Sequence, residues 1–536
     1  MKKKLFKVLV SAVLAFSFCF SMAGCGGGSA AGMVVGTTEG VDSMNPIAAE
    51  TMVSWEVFAL IYDPLVRYDE SFEPQPCLAE SWEPNDDGTE WTFHLTDAAW
   101  HDGEAVTSED VKCTYELMAS SYLYGLYMEG IEKVDCPDDK TVVIKCSEPK
   151  ANMLQNPTPI LPAHIWGDLG DDATEFDNAD AIGTGPYKFS SKDDTTVNLE
   201  LNADYFGTPA KMPAYSFVEY KSEDGLASAL KAGEVTGATN LTATQLGELE
   251  KEDGVDVIAG DANGFTHVAF NQSDSKDSTG NPALKEKAVR QAIELCTDKE
   301  AIVAKAYGGL GTVGTTLVNE GDKYHYTPEG DELRDFDTDR ANKLLDEAGF
   351  VDTDGDGIRE ANGNKLEFDI ISISDNTPEV KAAQIMKKGC KEAGIELNCQ
   401  TMDSGKMWDE EWVFNYDILI DGYGGDVDAS CICGILRSTY YASDDNTNDF
   451  GYVNPEYDKL FEQQASQVNE ADRISTIKQL QKVAYDDCPM IVLVYDNYVQ
   501  AVRSDTVKGF KQIPENGAFF FNNTIDNYVN AELVTE

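Results

Sequence analysis

Strand-like and helix-like segments alternate along almost the whole chain, and no internal repeat or long low-complexity stretch interrupts them. That alternation confines the fold to the α/β class, in which strands gather into a sheet and helices cover its faces. Apolar alternation predicts strands at Met33 to Gly36, Trp91 to Leu95, Thr141 to Cys146, Val197 to Leu201 and Ser216 to Tyr220. Further strands are predicted at Leu366 to Ser372, Ile395 to Gln400 and Met490 to Tyr495. Helical spacing predicts helices after Thr107, at Gly225 to Ala232, Ala283 to Cys296, Arg340 to Ala348, Pro378 to Ala393 and Glu470 to Tyr485. Thr297-x-x-Glu300 reads as a capping box opening another helix, and Gly233 and Gly349 read as helix-ending residues.

Hydrophobic residues make up 42% of the 536, enough apolar material for a packed core. At about 150 residues per domain, such a chain forms three to four domains or one large lobed unit. Asp and Glu number 95 against 41 Lys and Arg, a formal net charge of −54. No basic surface is left to neutralise phosphates, which excludes nucleic acid as a partner. Solubility accounts for most of the acidity.

The first 24 residues stand apart from the fold. Lys2, Lys3, Lys4 and Lys7 precede an apolar run from Val8 to Phe20, too short to span a bilayer but suited to an export signal. Met22-Ala23-Gly24-Cys25 resembles the lipobox of bacterial lipoproteins, with Met22 where Leu is usual. Cys25 is then the lipidated N-terminus, 25–32 a flexible tether, and the protein is anchored to the outer face of the bacterial cytoplasmic membrane. The alternative is an ordinary secretory signal with an incidental Cys. The ten later cysteines read mostly as small buried hydrophobes.

Catalytic signatures are missing: the chain has no G-x-S-x-G, H-E-x-x-H or G-x-x-x-x-G-K-[ST]. The expectation is a non-enzyme without a cofactor. The five His are scattered, and Cys431-Ile432-Cys433 has no second half-site. Gly309-Leu310-Gly311-Thr312-Val313-Gly314 matches G-x-G-x-x-G but follows a helix instead of a strand, the wrong setting for a dinucleotide. Asp352, Asp354, Asp356, Ile358 and Glu360 match much of a calcium loop, yet position 12 is Gly363. A structural calcium and a plain Asx-rich turn are both compatible with that pattern.

A set of phrases spread over the chain carries more information. They are Asp42-Ser43-Met44-Asn45-Pro46, Ile61-Tyr62-Asp63-Pro64-Leu65, Pro76-Cys77-Leu78-Ala79-Glu80-Ser81-Trp82, and Trp100-His101-Asp102-Gly103 through Val111. Gly183-Thr184-Gly185-Pro186-Tyr187, Val289 to Ile293, Ala341 to Phe350 and Gly422-Tyr423-Gly424-Gly425-Asp426 follow in order. Together they resemble the family 5, peptide-type extracellular solute-binding proteins of ABC importers, over essentially all of the chain after the signal.

The resemblance implies a two-lobed periplasmic-binding-protein-like hinge fold (type II, cluster C) with an extra inserted domain. Lobe I would comprise 33–67, 183–265 and 497–536, the inserted domain 68–182, and lobe II 266–496. A ligand would be enclosed between the lobes, and the permease of the importer would recognise the closed form. In peptide-binding members the acid matching Asp426 pairs with the peptide ammonium. Here Tyr423 replaces the usual Trp beside it, and Gly424 lies between. Trp408, Thr51, Met52 and Val53 fall where relatives present ligand contacts. No basic residue stands out as partner for a peptide C-terminus. The expected ligand is a peptide and the expected state a monomer. The alternatives are an oligosaccharide, using Trp408, Trp412, Tyr423 and Trp55 as platforms, and a nickel or metal-chelate binder.

Overall fold

A computed structural model describes residues 32–121, 123–425, 428–441, 448–520 and 524–535. From Gly32 onward the chain forms one compact unit, built on a mixed sheet that runs through both halves of the molecule. In one half, strand Glu367–Ile373 lies parallel to Glu396–Met402 and to Ile418–Tyr423. In the other, Met33–Thr37 lies parallel to Gly237–Leu241 and Ala214–Glu219, with Thr196–Leu201 and Tyr187–Lys192 continuing antiparallel. Two long antiparallel strands, Asp256–Phe270 and Met490–Val502, join the halves. Their ladder is regular from Asp256↔Val502 to Asp261↔Asn497, slips, and resumes at Phe265↔Tyr495. Asn263 adopts a positive φ of 54° within the slip. This is the two-lobed periplasmic-binding-protein-like α/β fold.

Local patterns explain most elements. Thr107 and Asp110 form a capping box at helix Ser108–Met118. Gly233 closes helix Glu223–Ala232 at φ 75°. The expected box at Thr297 does not form: Asp298 caps helix Lys299–Lys305 through Ala301 N–H, and the Thr297 hydroxyl donates to Ile293 O at 2.7 Å. Asp wins because its carboxylate accepts the helix N–H while also placing negative charge at the positive end of the helix dipole. The Gly309–Gly314 run lies against strand Met490–Val502, where Thr312–Val313 pairs with Tyr495 and Val494. A Cβ at Gly311 would sit 2.6 Å from Tyr495 O, so this glycine permits close strand approach. Cys77, Cys146, Cys296, Cys390, Cys433 and Cys488 are buried, as expected of small apolar side chains.

The segment from 68 to 182 carries its own antiparallel sheet, in the order Ala79–Pro84, Glu90–Leu95, Thr141–Cys146, Ile131–Asp138. Its Trp91, Phe93 and Ile144 nevertheless belong to one hydrophobic cluster with Phe58, Tyr187 and Tyr215 outside it. The place where this segment leaves and returns is tied by a buried carboxylate. Asp63, fully buried, accepts from Arg67 Nη2 at 2.6 Å, Thr184 Oγ1 at 2.8 Å and Tyr205 Oη at 2.9 Å. His101 N–H donates to Gly183 O at 2.8 Å. A Cβ on Gly183 would lie 1.9 Å from Ile61 O, so the returning strand packs directly on backbone. Asn45 Nδ2 reaches Ala173 O at 2.7 Å and Phe176 O at 2.8 Å. Several of the phrases that carry the family resemblance thus meet at one neck.

Removing one partner from such a buried set leaves a charge uncompensated. Asp63→Ala is expected to cost about 3–5 kcal/mol, read from denaturant unfolding. A loss under ~1 kcal/mol would show that the neck tolerates an unpaired Arg67.

Candidate functional site

Residues from both lobes and from the crossing strands converge beside the slipped ladder. On the first lobe, Thr51 caps helix Met52–Ile61, accepting from Ser54 N–H at 3.3 Å and donating to Asp42 Oδ1 at 2.9 Å. Burial alone would raise Asp42, but hydrogen bonds from Ser54, Glu50 and Thr51 outweigh it and hold the carboxyl below its usual range. Glu39 faces the N–H groups of Val53 and Met52 and is raised by burial. Val53 is buried, whereas the Met52 side chain stands exposed. Of the three sequence-predicted positions here, the Thr51 side chain is occupied as a cap and Val53 in the core, so Met52 alone projects outward.

On the second lobe, helix Ser404–Trp412 buries Met407 and Glu411 on one face and exposes Trp408 and Trp412 on the other, at 53% and 52%. The Trp408 indole N–H donates to Asp421 Oδ2 at 3.2 Å. Asp421 and Tyr423 share a face of strand Ile418–Tyr423. The Tyr423 ring stacks on His267, centroids 5.1 Å apart, and its hydroxyl donates to Asp449 Oδ2. His267 is fully enclosed and burial pushes it down to about 3, so it is a neutral packing group. Thr266 Oγ1 donates to Asp496 Oδ1 at 3.2 Å, on the crossing strand. Tyr498, two residues on, lies within charge range of both Asp496 and Glu39 and so links the two walls.

The carboxylates of this region are strongly perturbed. Burial raises Glu379 to about 7, reinforced by Asp421, Asp496 and Asp375 and opposed by Ile373 N–H. Burial raises Asp496 to about 6 against the Thr266 bond. Asp421 is raised by burial against Gly422 N–H and the Trp408 indole. Glu411 and Asp449 are both raised, each chiefly by burial.

A cavity of about 600 Å³ opens next to Tyr423 and Gly424. Tyr127, Pro149 and Lys150 form one wall, and Arg437, Phe461 and Arg473 line the other. Ala151 N–H donates to Ala465 O at 2.8 Å across its rim. Burial lowers the Lys150 ammonium. The Arg437 guanidinium lies 4.6 Å over the Phe461 ring. Lys150 and Arg437 are basic groups that the sequence did not single out, since isolated cations in unremarkable local patterns give no signal. Behind the cavity, Arg473 pairs with buried Asp428 at 2.6 Å and with Gln464 Oε1 at 3.0 Å, fixing the start of helix Ala429–Gly434 just after the Gly-rich stretch.

A family model described as "Bacterial extracellular solute-binding proteins, family 5 Middle" matches residues 73–431. The chain belongs to the family 5 bacterial extracellular solute-binding proteins. The oligopeptide-binding protein AppA of Bacillus subtilis is 25% identical over 499 residues, covering 90% of this chain and 89% of AppA. The dipeptide-binding protein DppE of the same organism is 22% identical over 509 residues, 88% of each. The structure of AppA in complex with a nonapeptide superposes with a TM-score of 0.73 at 23% identity, covering 94% of this chain and 99% of that one. NikZ from Campylobacter jejuni in complex with Ni(L-His) gives 0.74 at 22% identity and the same coverage. Family 5 proteins are substrate-binding components of transporters. Among the described residues no helix is long and apolar enough to cross a membrane.

Asp426 and Cys25 lie outside the described residues. Trp55 is stacked on Tyr124, centroids 4.7 Å apart, with Tyr127 6.3 Å away. In the acidic loop, Asp352, Asp354 and Asp356 carry carboxylate oxygens within 4.8 Å of one another. The Lys365 ammonium already bridges Asp354, at 3.0 Å, and Asp356. Glu360 accepts from Thr353 N–H at 2.8 Å, and Ile358 N–H donates to Asp356 Oδ1 at 2.9 Å. Calcium there would have to displace a cation that the family 5 chain supplies itself.

Unfolded carboxyls titrate near pH ~4, whereas Glu379 and Asp496 hold their protons up to about 7 and about 6. The folded protein binds more protons across that window, so the stability these two groups contribute falls as pH rises from ~4 to ~7. The melting temperature of ligand-free protein should fall less steeply between pH 5 and 7.5 in Glu379→Gln than in wild type. Superimposable profiles would remove Glu379 from this account.

Proposed function

We propose that this chain is the extracytoplasmic solute-binding subunit of an ABC importer, capturing peptides between two closing lobes and delivering them to the permease. In this reading lobe I comprises 33–67, 183–265 and 497–536, the inserted domain 68–182 and lobe II 266–496. The observation that carries it is the convergence at the slipped ladder of Asp261 to Phe265. There Asp496 of the crossing strand accepts from Thr266, Asp421 accepts from the Trp408 indole, and Tyr423 lines a cavity of about 600 Å³, while Glu39, at the Met52 N–H, lies within charge range of Tyr498. A ladder interrupted between Asp261 and Phe265 and again between Thr266 and His267 bends there more easily than along its regular stretches, as hinge closure requires. Burying the ligand excludes water and strengthens each charged or hydrogen-bonded contact. A sequence relative named as oligopeptide-binding, AppA, whose fold is also known with a nonapeptide bound, supports peptide over other ligands.

The exposed faces of Trp408 and Trp412 are what an oligosaccharide would use. A neutral sugar, however, would leave the acids of the site without a counter-charge. No catalytic constellation is part of this reading, and the protein acts as a monomeric binder. Export and anchoring follow from residues 1–25: Cys25→Ala should move the protein from the membrane to the soluble fraction, and unchanged retention would reject the lipid anchor.

Native mass spectrometry of purified protein, followed by acid release, tests the ligand class. A ladder of short peptides is expected; masses spaced by hexose would overturn the peptide reading. Asp426→Ala should weaken free-amine peptides by about 2–5 kcal/mol if it is a desolvated charge partner. Equal affinity of wild type for N-acetylated and free peptides would strip Asp426 of that role.

A further inference from the structure

Three buried acids elsewhere in this chain are matched with cations, while Asp110 is satisfied by the N–H groups of Thr107 and Ala163. Asp63 has Arg67 at 2.6 Å, Asp428 has Arg473 at 2.6 Å, and Glu294 has Lys299 at 3.0 Å together with Arg334. Beside the crossing strands no cation is matched to the acids among the described residues. Asp421, Glu379 and Asp496 come from three different elements, a strand end, the first turn of helix Thr377–Glu392 and the crossing strand. Asp421 stands opposite His267, the neighbour of the Thr266 that donates to Asp496 at 3.2 Å, and Ile373, at the end of the strand beside that of Asp421, donates its N–H to Glu379 at 3.2 Å; none of the three acids has an ion-pair partner among the described residues.

A second observation points the same way. Glu411 is 7% exposed, no hydrogen bond reaches its carboxylate among the described residues, and its charged neighbours are Asp449 and Asp421. A carboxyl buried without donor or cation among the described residues, and beside further carboxyls, costs stability. The exposed Trp408 is held over the same place by its bond to Asp421 and offers an aromatic face to a cation. Thr266 and Tyr307 add hydroxyls next to Asp496.

The geometry also selects the kind of cation. Among the described residues, Asp352, Asp354 and Asp356 are the one group of three or more ligating side chains whose oxygens converge closely enough for a metal ion. The oxygens of Asp421, Glu379 and Asp496 do not, so they suit a larger organic cation with several donors.

We infer that Asp421, Glu379 and Asp496, backed by Glu411 and flanked by Trp408, form a cation subsite that takes an alkylammonium or guanidinium group, making this a receptor for peptides with a basic side chain. The inference rests on the peptide reading above and adds a specificity to it. An ammonium offers three donors and a guanidinium five, enough to engage carboxylates from all three elements at once. The subsite does not include Asp426, which lies outside the described residues.

Calorimetric titration of the full mature chain with a matched set of hexapeptides tests it: one Lys peptide, its norleucine counterpart, and the N-acetylated form of each. Wild type should prefer Lys over norleucine on the order of tenfold or more, in the acetylated pair as in the free pair. Glu379→Gln and Asp496→Asn keep hydrogen-bond acceptors for Asn376 and Thr266 and should reduce that preference to less than about threefold while norleucine peptides still bind. Equal binding of Lys and norleucine peptides to wild type, or an undiminished preference in both variants, would overturn the subsite and leave peptide binding standing. A Lys preference that disappears on acetylation would assign the acids to the peptide N-terminus and also overturn the inference as stated. If no peptide binds, the peptide reading fails. Spermidine then reads the subsite alone: binding that Glu379→Gln and Asp496→Asn abolish keeps it, and no binding removes it.

Discussion

The rest of the molecule hangs on one antiparallel pairing. Strands Asp256–Phe270 and Met490–Val502 run through both halves of the sheet, and every other strand of either half reaches its counterpart only through them. A continuous hydrogen-bonded ladder resists shear, because sliding by one residue would turn every side chain to the wrong face. Register is therefore fixed along the regular stretches, and the ladder shifts between Asp261 and Phe265 and again between Thr266 and His267. The perturbed acids of the candidate site lie beside these shifts. Asp496 and Tyr498 ride on the strand itself, and Asp421 and Tyr423 on its neighbour's partner. A ligand touching them senses both lobes.

Charge is the second organising constraint. With 41 basic side chains against 95 acidic ones, cations are scarce, and the fold concentrates buried ones where the chain must be locked. Asp63 with Arg67 closes the neck of the 68–182 segment, Glu294 with Arg334 and Lys299 anchors the second lobe, and Asp428 with Arg473 fixes the loop behind the cavity. The acids lining the space beside the crossing strands are left to the solvent and the ligand. Such a surface repels anions and concentrates cations before any specific contact forms.

Much of this was legible in the residues. Strands at 91–95, 141–146 and 197–201 and helices at 108–118 and 470–487 follow local periodicity, because each buries one face against a single neighbour. The crossing strands were not. Met490 to Tyr495 reads as a buried strand, but the chain continues as strand through Asp496-Asn497-Tyr498, whose polarity looks like a loop. Asp496 and Tyr498 share one face of the strand, beside Thr266 and Glu39, while Asn497 on the opposite face donates to Ala259 O at 3.1 Å, so polar contacts and backbone pairing hold the strand here. In the site, Tyr423, Gly424 and Trp408 were found by resemblance. Glu379, Asp421 and Asp496 carried no signal, since a chain with 95 acids offers a carboxylate in almost every window.

By itself, then, the sequence determined the α/β class, the order of elements, the absence of familiar catalytic patterns and membership in a family. All of these depend on short-range pattern or on phrases kept in order. Tertiary structure alone decided which buried acids are paired with cations and which have no such partner among the described residues, that Lys150 and Arg437 share a cavity, and that two strands cross between the lobes. Ion pairing and strand crossing depend on residues brought together from distant parts of the chain, such as Thr266 and Asp496, 230 positions apart. No local periodicity records such a meeting, because the burial that makes it matter exists only once the chain has folded.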